Sequence, residues 1–238
     1  MHPHRRTLSY SRVIHLSHTI DPDIPAWPGD PPVEMDEVAG IANNGYFLRK
    51  ISMGEHSATH MNAPAAFYEN GAGIESYDAS SLVAPAVVIH LAGIAGRDER
   101  NGLSAADIAA WEADHGPVPA GSLALVNTGW GKRWKDPVAY MNVDASGMPQ
   151  FPGIDVEAAR VLLEQRGATG LGIDSPGVDS YRDRDYSTNR MALAQRRIVL
   201  ENLANLEQLP STGATIFIGA LRLRGGSGSP AAVLALVP

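Results

Sequence analysis

Short apolar runs alternate with amphipathic stretches along this chain, and Gly or Pro residues separate them. Compact apolar runs predict buried strands, whereas apolar residues spaced three to four apart predict helices. The pattern predicts strands over 13–17, 46–53, 85–91, 122–127, 170–174, 198–201, 215–223 and 231–237. It predicts helices over 105–115, 156–166 and 191–197, with a short helix or turn over 202–209. Strands that alternate with helices are typical of an α/β fold.

Two of the predicted helices have recognisable ends. Ser104 is suited to cap the first helix, and Asp107 would lie at its positive end. Gly116 ends that helix. Asp155 is in position to cap the second helix, which ends at Gly167. These signals place both helices between predicted strands, as an α/β fold requires.

The chain shows no linker, repeat or low-complexity block, so we expect one domain over residues 13–238. Residues 1–12 are expected to form a flexible basic tail. The start is basic, but polar residues follow it, where a signal peptide would have an apolar core. A chain of 238 residues is long enough to bury a sizeable core.

Composition narrows the possible functions. The formal net charge of −7 argues against nucleic acid or an anionic membrane as the main partner. No apolar run reaches the roughly 18 residues of a membrane span. The chain contains no cysteine, which excludes disulfides, thiolate metal sites and a cysteine nucleophile. We expect a cytoplasmic protein.

The segment 54–67 (GEHSATHMNAPAAF) contains the most distinctive chemistry. Side chains at alternate positions share one face of an extended strand, so only an extended segment brings His56, His60 and Asn62 together. Pro64 also favours extended chain. The two imidazoles could be internally hydrogen-bonded, or the three side chains could hold a metal ion. A neutral amide oxygen is a poorer ligand than a carboxylate for zinc or manganese.

All eight histidines lie at or before His115, so the second half of the chain contributes no imidazole to any site. Trp27 lies in a proline-rich loop, where it either caps the core or forms the wall of a pocket. Asp174 follows a predicted strand, a position that α/β proteins use for function, although the adjacent Pro and Gly are also typical of an ordinary turn. The run 182–185 is expected on a solvated loop, with substrate recognition by an arginine as the alternative.

Two common catalytic motifs are not matched by this sequence. The glycine-rich segment 225–228 lacks the lysine of a phosphate-binding loop and no helix pattern follows it, so a hairpin between the last strands is expected. No Gly-x-Ser-x-Gly elbow is present, and no histidine follows in the order that such hydrolases use. The sequence therefore argues against a serine triad.

Several segments, taken in order, resemble the bacterial kynurenine formamidase and cyclase superfamily. They span nearly the whole chain and comprise 15–20 with 25–30, 56–64, 127–130, 172–179 and 200–206. The resemblance implies a swivelling β/β/α fold within a single α/β domain and assembly into a homodimer or homotetramer. It also implies hydrolysis of formamides or cyclic amides with zinc or manganese.

The family's metal motif, His-x-Gly-Thr-His-x-Asp-x-Pro-x-His, is incomplete in this chain. His56 and His60 match its first two ligands. Asn62 stands in the place of the aspartate, Ala66 in that of the third histidine, and Ala58 in that of the glycine. The first metal position therefore keeps two imidazoles and one neutral amide.

The distal part of the family's ligand set is also reduced. Glu201 matches the distal glutamate, but Asn189 stands where the family has its last histidine. The resemblance therefore implies that a second metal site is absent. It leaves either no metal or one weakly bound zinc or manganese ion on His56, His60 and Asn62, and we favour the metal-poor version.

The leading hypothesis is an enzyme that acts on an amide, lactam, lactone or related cyclic compound. In the metal-poor version Glu201 shares acid–base duty with an imidazole. The candidate catalytic residues are His56, His60 and Glu201, and the candidate substrate-binding residues are Trp27, Asn62, Phe67, Asp174 and Asn189. The alternative is a non-catalytic small-molecule-binding protein derived from a metal-dependent hydrolase.

Overall fold

Ten strands form two sheets in the computed structural model, which describes residues 7–94 and 97–238. The strands are β1 (Arg12–His15), β2 (Glu34–Ala39), β3 (Leu48–Ser52), β4 (His60–Asn62), β5 (Val83–His90), β6 (Leu123–Asn127), β7 (Gly170–Ile173), β8 (Ile198–Glu201), β9 (Thr212–Ala220) and β10 (Gly228–Val237). The short β2 and β3 pair only with each other. The other eight strands form the main sheet.

The main sheet closes on itself. Its order is β1-β10-β4-β8-β7-β6-β5-β9, and β9 also pairs with β10, so seven strands form a barrel to which β1 is added. The pairs β5–β6, β6–β7 and β7–β8 are parallel, and the remaining pairs are antiparallel. This topology brings the short β4 next to β8, although 135 residues separate the strand ends Asn62 and Ile198 (198 − 62 − 1).

The described part of the chain contains five α-helices: α1 (Ile41–Asn44), α2 (Ala105–His115), α3 (Pro137–Met141), α4 (Val156–Arg160) and α5 (Ser187–Ala194). A π-helical turn, Val161–Gln165, continues α4. Short 3-10 turns cover Pro64–Ala66, Ile74–Ser76, Ala79–Leu82, Trp130–Arg133 and Leu206–Gln208.

Two apolar cores lie on opposite faces of the parallel strands. Successive side chains of a strand point to opposite faces, and Val88 accordingly packs in one core while Val87 packs in the other. The first core fills the barrel with residues such as Leu125. The second lies beneath α2, α4 and α5 and includes Ile108 and Leu162. The predicted α/β single-domain fold is confirmed.

The helix predictions succeeded where the end signals are local. Ser104 and Asp107 form a reciprocal capping box at the start of α2, as predicted. Asp155 precedes α4 but makes no capping hydrogen bond with its side chain. The helix predicted over 191–197 was misplaced, because it runs over Ser187–Ala194 instead.

The small sheet contains an element that the sequence pattern did not predict. β2 carries three acidic side chains and lacks a regular apolar alternation, so only its partner β3 was predicted. All five residues of β3 are exposed. The predicted tail over residues 1–12 lies half outside the described residues, and its flexibility stays a prediction. Within residues 7–94 and 97–238, no helix combines the length and apolarity of a membrane span.

Candidate active site

A cavity of about 580 Å³ opens beside β4 and β8. This volume lies in the range typical of small-molecule sites. Aromatic side chains form much of its wall: Trp27, Phe67, Tyr140, Phe151, Tyr181 and Tyr186. Polar side chains converge at one part of it: His56, His60, Asn62, Asp179, Asn189, Glu201 and Ser227. The cavity therefore combines flat apolar walls with a group of ionisable and amide side chains.

The motif that carries the two histidines is not one continuous strand. β4 begins at His60, and His56 lies in a preceding turn, so the extended conformation predicted for the whole motif was wrong. The chain reverses at Ala58, whose φ of 53° lies in the left-handed region. The Ala58 carbonyl accepts a hydrogen bond from Asn202 Nδ2 at 2.8 Å and lies 2.8 Å from His60 Nδ1. These contacts hold the turn.

His60 and Glu201 form a buried pair across β4 and β8, where they are directly opposite in register. The distance from His60 Nε2 to Glu201 Oε2 is 3.1 Å, and the two residues are 3% and 6% exposed. The Val178 amide donates to Glu201 Oε1 at 2.9 Å. Both His60 nitrogens face acceptor atoms, which suits an imidazolium beside a carboxylate or one proton shared between them.

Two asparagines connect this pair to His56. Asn189 Nδ2 donates to Glu201 Oε1 at 3.1 Å and to Asp179 Oδ2 at 2.7 Å. Asn62 Nδ2 donates to Asn189 Oδ1 at 3.0 Å. Asn62 Oδ1 then lies 2.9 Å from His56 Nδ1. The amides therefore occupy the centre of the polar group that the two histidines border.

His56 contacts the β9–β10 hairpin through its other nitrogen. Its Nε2 lies 2.9 Å from Ser227 Oγ. Ser227 also donates from its backbone N to Glu55 Oε2 at 2.8 Å, and its hydroxyl donates to the same oxygen at 2.6 Å. The hairpin predicted around 225–228 is confirmed by the pairing of β9 with β10, and it delivers Ser227 to the cavity.

Burial and charge set the ionisation of the carboxyl groups in different directions. Burial disfavours the charged form of Glu201, but the hydrogen bond and charge of His60, together with N–H donors, outweigh it and lower the Glu201 pKa to about 2. Burial raises the pKa of Asp179 to about 6, and the nearby charge of Glu201 adds to the increase. One carboxyl group is thus firmly ionised, and its neighbour titrates near neutral pH.

Burial also lowers the pKa of His56, and the charge of His60 acts in the same direction. His56 therefore favours the neutral form in this environment. Tyr140 is fully buried, and burial raises its pKa well above 10. Its hydroxyl donates to Asn202 Oδ1 at 2.7 Å. This tyrosine is a neutral wall residue.

The structure brings most of the predicted site residues to one cavity. His56, His60, Glu201, Asn62 and Asn189 form the connected group described above, and Trp27 and Phe67 lie in the wall. The Trp27 ring meets Phe151 edge to face, with centroids 5.9 Å apart. Arg184 of the 182–185 loop also borders this cavity.

Asp174 is a correction, because the structure does not bring it to this cavity. Its carboxylate accepts hydrogen bonds from the backbone N and hydroxyl of Thr128 and from the Gly129 backbone N, at 2.6–3.0 Å. It fixes the loop after β6 and lies outside this cavity. Two residues that the sequence reasoning missed are Asp179 and Ser227, both of which line the cavity.

The donor set in this cavity does not fit a tightly held divalent ion. Asn62 and Asn189 supply neutral amides that bond to each other, and Ala66 supplies no donor atom. Both nitrogens of His56 and both of His60 already face protein partners. In the part of the chain that the structure describes, no group of three or more His, Asp or Glu side chains is arranged to hold a metal.

The family model described as "Putative cyclase" matches residues 14–180 of this chain. A curated relative, the isatin hydrolase of Roseibium aggregatum, is 32% identical over 219 residues, which cover 87% of this chain and 82% of that protein. The kynurenine formamidase of Bacillus mycoides is 22% identical over 224 residues, which cover 92% of this chain and 95% of that protein. The solved structure of isatin hydrolase A from Ralstonia solanacearum superposes with a TM-score of 0.88 at 32% identity, covering 95% of this chain and 92% of that one.

Proposed function

The chain belongs to the cyclase family, and from that premise we propose that it hydrolyses a small cyclic amide, lactam or lactone with reduced or absent dependence on a metal. Relatives named isatin hydrolase and kynurenine formamidase support an amide-hydrolysing enzyme. The aromatic walls of the cavity suit a flat, small substrate. We also propose a cytoplasmic location.

The observation that carries this proposal is the buried pair of Glu201 and His60 beside the cavity. A carboxylate 3.1 Å from an imidazole nitrogen can hold a proton between them and transfer it. Amide hydrolysis needs such a group, because the attacking oxygen loses a proton and the leaving nitrogen gains one. The pair is held rigidly, since Glu201 Oε1 is fixed by Val178 and Asn189.

Reduced metal dependence rests on the chemistry of the donors. An amide at Asn62 neither offsets the charge of a divalent ion nor ligates it as well as a carboxylate does. The triple change Asn62→Asp, Ala66→His and Asn189→His restores the ligands of the family motif. We expect this variant to take up zinc or manganese with at least stoichiometric occupancy, measured by elemental analysis and calorimetry. Failure of metal uptake would mean that the backbone geometry has diverged along with the ligands.

The test of the proposed function is turnover. Purified protein is assayed against a panel of lactams, formamides and lactones, with and without a chelator, while its metal content is measured. We expect chelator-resistant hydrolysis that His60→Ala with Glu201→Ala removes. If the protein carries no stoichiometric metal and this double variant turns over substrate as well as the wild type, the enzyme assignment is wrong. Glu207→Gln, on an exposed carboxylate, is the control.

A second candidate, a non-catalytic binding protein, is favoured by one observation. The imidazoles and amides of the cavity satisfy one another with hydrogen bonds, as side chains of a stable binding pocket do. A binder would hold members of the same panel in calorimetry and release them unchanged. Assembly as a homodimer or homotetramer stays a prediction, which light scattering on the purified protein would measure.

A further inference from the structure

Three side chains at the edge of the cavity lie in the order of a nucleophile, a base and an orienting group. Ser227 Oγ is 2.9 Å from His56 Nε2, and His56 Nδ1 is 2.9 Å from Asn62 Oδ1. Both distances fall within the hydrogen-bond reach expected of an activated nucleophile and its base. The hydroxyl and the imidazole both border the cavity.

The direction of the hydrogen bonds is fixed from the carboxylates outwards. Ionised Glu201 only accepts, so Asn189 directs its NH₂ group at that carboxylate. Asn189 must then present Oδ1 to Asn62, which donates from Nδ2. A flip of either amide would place donor against donor or acceptor against acceptor.

This direction determines the tautomer of His56. Because Asn62 has donated its NH₂ group to Asn189, its Oδ1 faces the ring and can only accept. His56 therefore carries a proton on Nδ1, and its unprotonated Nε2 lies 2.9 Å from Ser227 Oγ, whose own proton is donated to Glu55 Oε2 before the reaction begins. The network thus prepares the nitrogen beside the serine to act as a base.

We propose that Ser227 is the nucleophile of the reaction and His56 its general base, with Asn62 as a positioning residue. This inference rests on the proposed function, since it names the attacking oxygen of that hydrolysis. The arrangement is chemically related to the Cys–His–Asn and Ser–His–Asp sets of unrelated hydrolases, which are recognised by geometry and not by sequence pattern. The sequence argues against a serine triad, and this proposal departs from that expectation on the basis of the contact between Ser227 and His56.

The steps balance as an acyl transfer followed by hydrolysis. Ser227 Oγ forms a bond to the substrate carbonyl carbon while its proton passes to His56 Nε2. The C–N or C–O bond of the substrate then breaks, and the leaving nitrogen or oxygen takes that proton. In the second half, water gives a proton to His56 and its oxygen attacks the ester. The ester bond breaks, Ser227 regains the proton, and a carboxylic acid is released.

Glu55 gives the serine a second acceptor. Its Oε2 accepts the Ser227 backbone N–H at 2.8 Å and the Ser227 hydroxyl at 2.6 Å, so the hydroxyl turns from Glu55 to His56 Nε2 when its oxygen attacks. A hydroxyl placed between a carboxylate and an imidazole can pass its proton to either. The backbone bond keeps Glu55 and Ser227 together, so the carboxylate also holds the hairpin in place beside His56.

Because the chain has no native cysteine, a thiol introduced at Ser227 can be labelled without any competing thiol. Ser227→Cys introduces the only thiol in the chain, and a cysteine beside a histidine base is more ionised than an isolated one. At mildly acidic pH we expect iodoacetamide to alkylate this thiol at least about tenfold faster than the thiol of Ser57→Cys. Ser57 is the matched control, because it lies next to His56 in the chain. Adding His56→Gln to Ser227→Cys should remove the difference. Equal alkylation rates in all three proteins would overturn the assignment.

Acyl-enzyme trapping tests the serine itself. The wild-type protein is treated with an activated phenyl ester and quenched in acid, and its mass is then measured by intact mass spectrometry. We expect one acyl group per chain, mapped to Ser227, with labelling reduced about 100-fold or more in Ser227→Ala and His56→Gln. Ser57→Ala should label like the wild type. Unchanged thermal unfolding of the variants shows that folding is intact.

The outcomes separate this inference from the proposed function. Chelator-resistant hydrolysis of a lactam that Ser227→Ala leaves unchanged, with no acyl adduct, would overturn the nucleophile and keep the function. An adduct on Ser227 in a protein that hydrolyses none of the amides, lactams or lactones would support the nucleophile and overturn the function. A structural role for Ser227 alone predicts neither an adduct nor a histidine-dependent thiol.

Discussion

His56 and His60 lie four residues apart and their rings meet edge to face, with centroids 5.2 Å apart, yet their surroundings differ in kind. His60 faces a buried carboxylate, whereas the partners of His56 are an amide oxygen and a hydroxyl. A carboxylate stabilises a charged imidazole, and neutral partners combined with burial favour an uncharged one. Within a single cavity, His60 can therefore hold a proton together with Glu201, while His56 can act as a neutral base.

Removing either histidine should destabilise the protein, but by different amounts. We expect His60→Leu to cost about 3–5 kcal/mol of unfolding free energy, because it leaves the Glu201 carboxylate buried without its partner. His56→Leu leaves Asn62 Oδ1 without its partner, while Ser227 keeps its hydrogen bond to Glu55, so this change should cost about 1–3 kcal/mol. Urea unfolding with a common slope measures both values.

The double change His60→Leu with Glu201→Leu sharpens this test. Replacing both members of a buried ion pair with apolar groups is often nearly neutral, so the double variant should recover much of the loss in His60→Leu. Equal costs for the two single histidine changes would contradict the contrast between the carboxylate partner of His60 and the neutral partners of His56.

The next prediction concerns the two carboxyl groups that share the amide of Asn189. The folded-state pKa of Asp179 is raised from 3.8 to about 6, so its contribution to stability is complete below about pH 3.8 and is lost as the pH rises through 6. The folded-state pKa of Glu201 is lowered from 4.5 to about 2, so its contribution is present above pH 4.5 and is lost as the pH falls towards 2.

Variants resolve the two windows. Asp179→Asn should remove a fall in unfolding free energy of order 2–3 kcal/mol between about pH 4 and 6. Glu201→Gln should keep most of that fall but reduce it in part, because the charge of Glu201 adds to the Asp179 pKa, and it should flatten the profile below about pH 4.5. Calorimetric melting at a series of pH values measures both. A profile that Asp179→Asn leaves unchanged between pH 4 and 6 would refute the raised pKa.

The sequence could predict the elements that are set by local signals, but not those set by tertiary contacts. Apolar runs identified the buried strands, and the local Ser104 signal identified α2. The start of α5 was missed because its first amides bond to Asp179, a carboxylate several residues upstream whose role depends on the tertiary fold. The turn at Ala58 was missed because an alanine gives no local signal for a left-handed conformation.

In the candidate site too, the residues with a local signal were predicted and those that depend on tertiary contacts were missed. His56, His60, Asn62 and Glu201 were found because their spacing and the family resemblance identify them. Ser227 was missed because its contact with His56 joins positions 171 apart along the chain, through the pairing of β10 with β4. No property of a Gly-Gly-Ser-Gly hairpin shows by itself that its serine faces an imidazole.

A change at Asn62 should make His56 more like His60. In Asn62→Asp, a carboxylate replaces the amide oxygen beside His56 Nδ1, so the pKa of His56 should rise by about 1–3 units. Nuclear magnetic resonance titration of the imidazole measures it, with the His56 signal assigned by its loss in His56→Gln. Asn205→Asp, at an exposed position, is the control. A His56 pKa that stays unchanged would mean that Asn62 Oδ1 does not contact the ring in solution.

The smallest effect should come from Ala58, the turn that separates the two histidines. Its left-handed backbone costs an alanine about 1–2 kcal/mol relative to glycine. Ala58→Gly removes this strain, but it also removes a buried methyl group worth about 0.8 kcal/mol and makes the unfolded chain more flexible by about 0.4–1 kcal/mol. These terms nearly cancel, so the unfolding free energy should change by less than about 1 kcal/mol.

Ala58→Val adds branching at the strained position and should destabilise the protein clearly more than Ala58→Gly, because branched residues rarely adopt this conformation. If valine is tolerated as well as glycine, the turn is not left-handed in solution, and the separate environments of His56 and His60 need another cause.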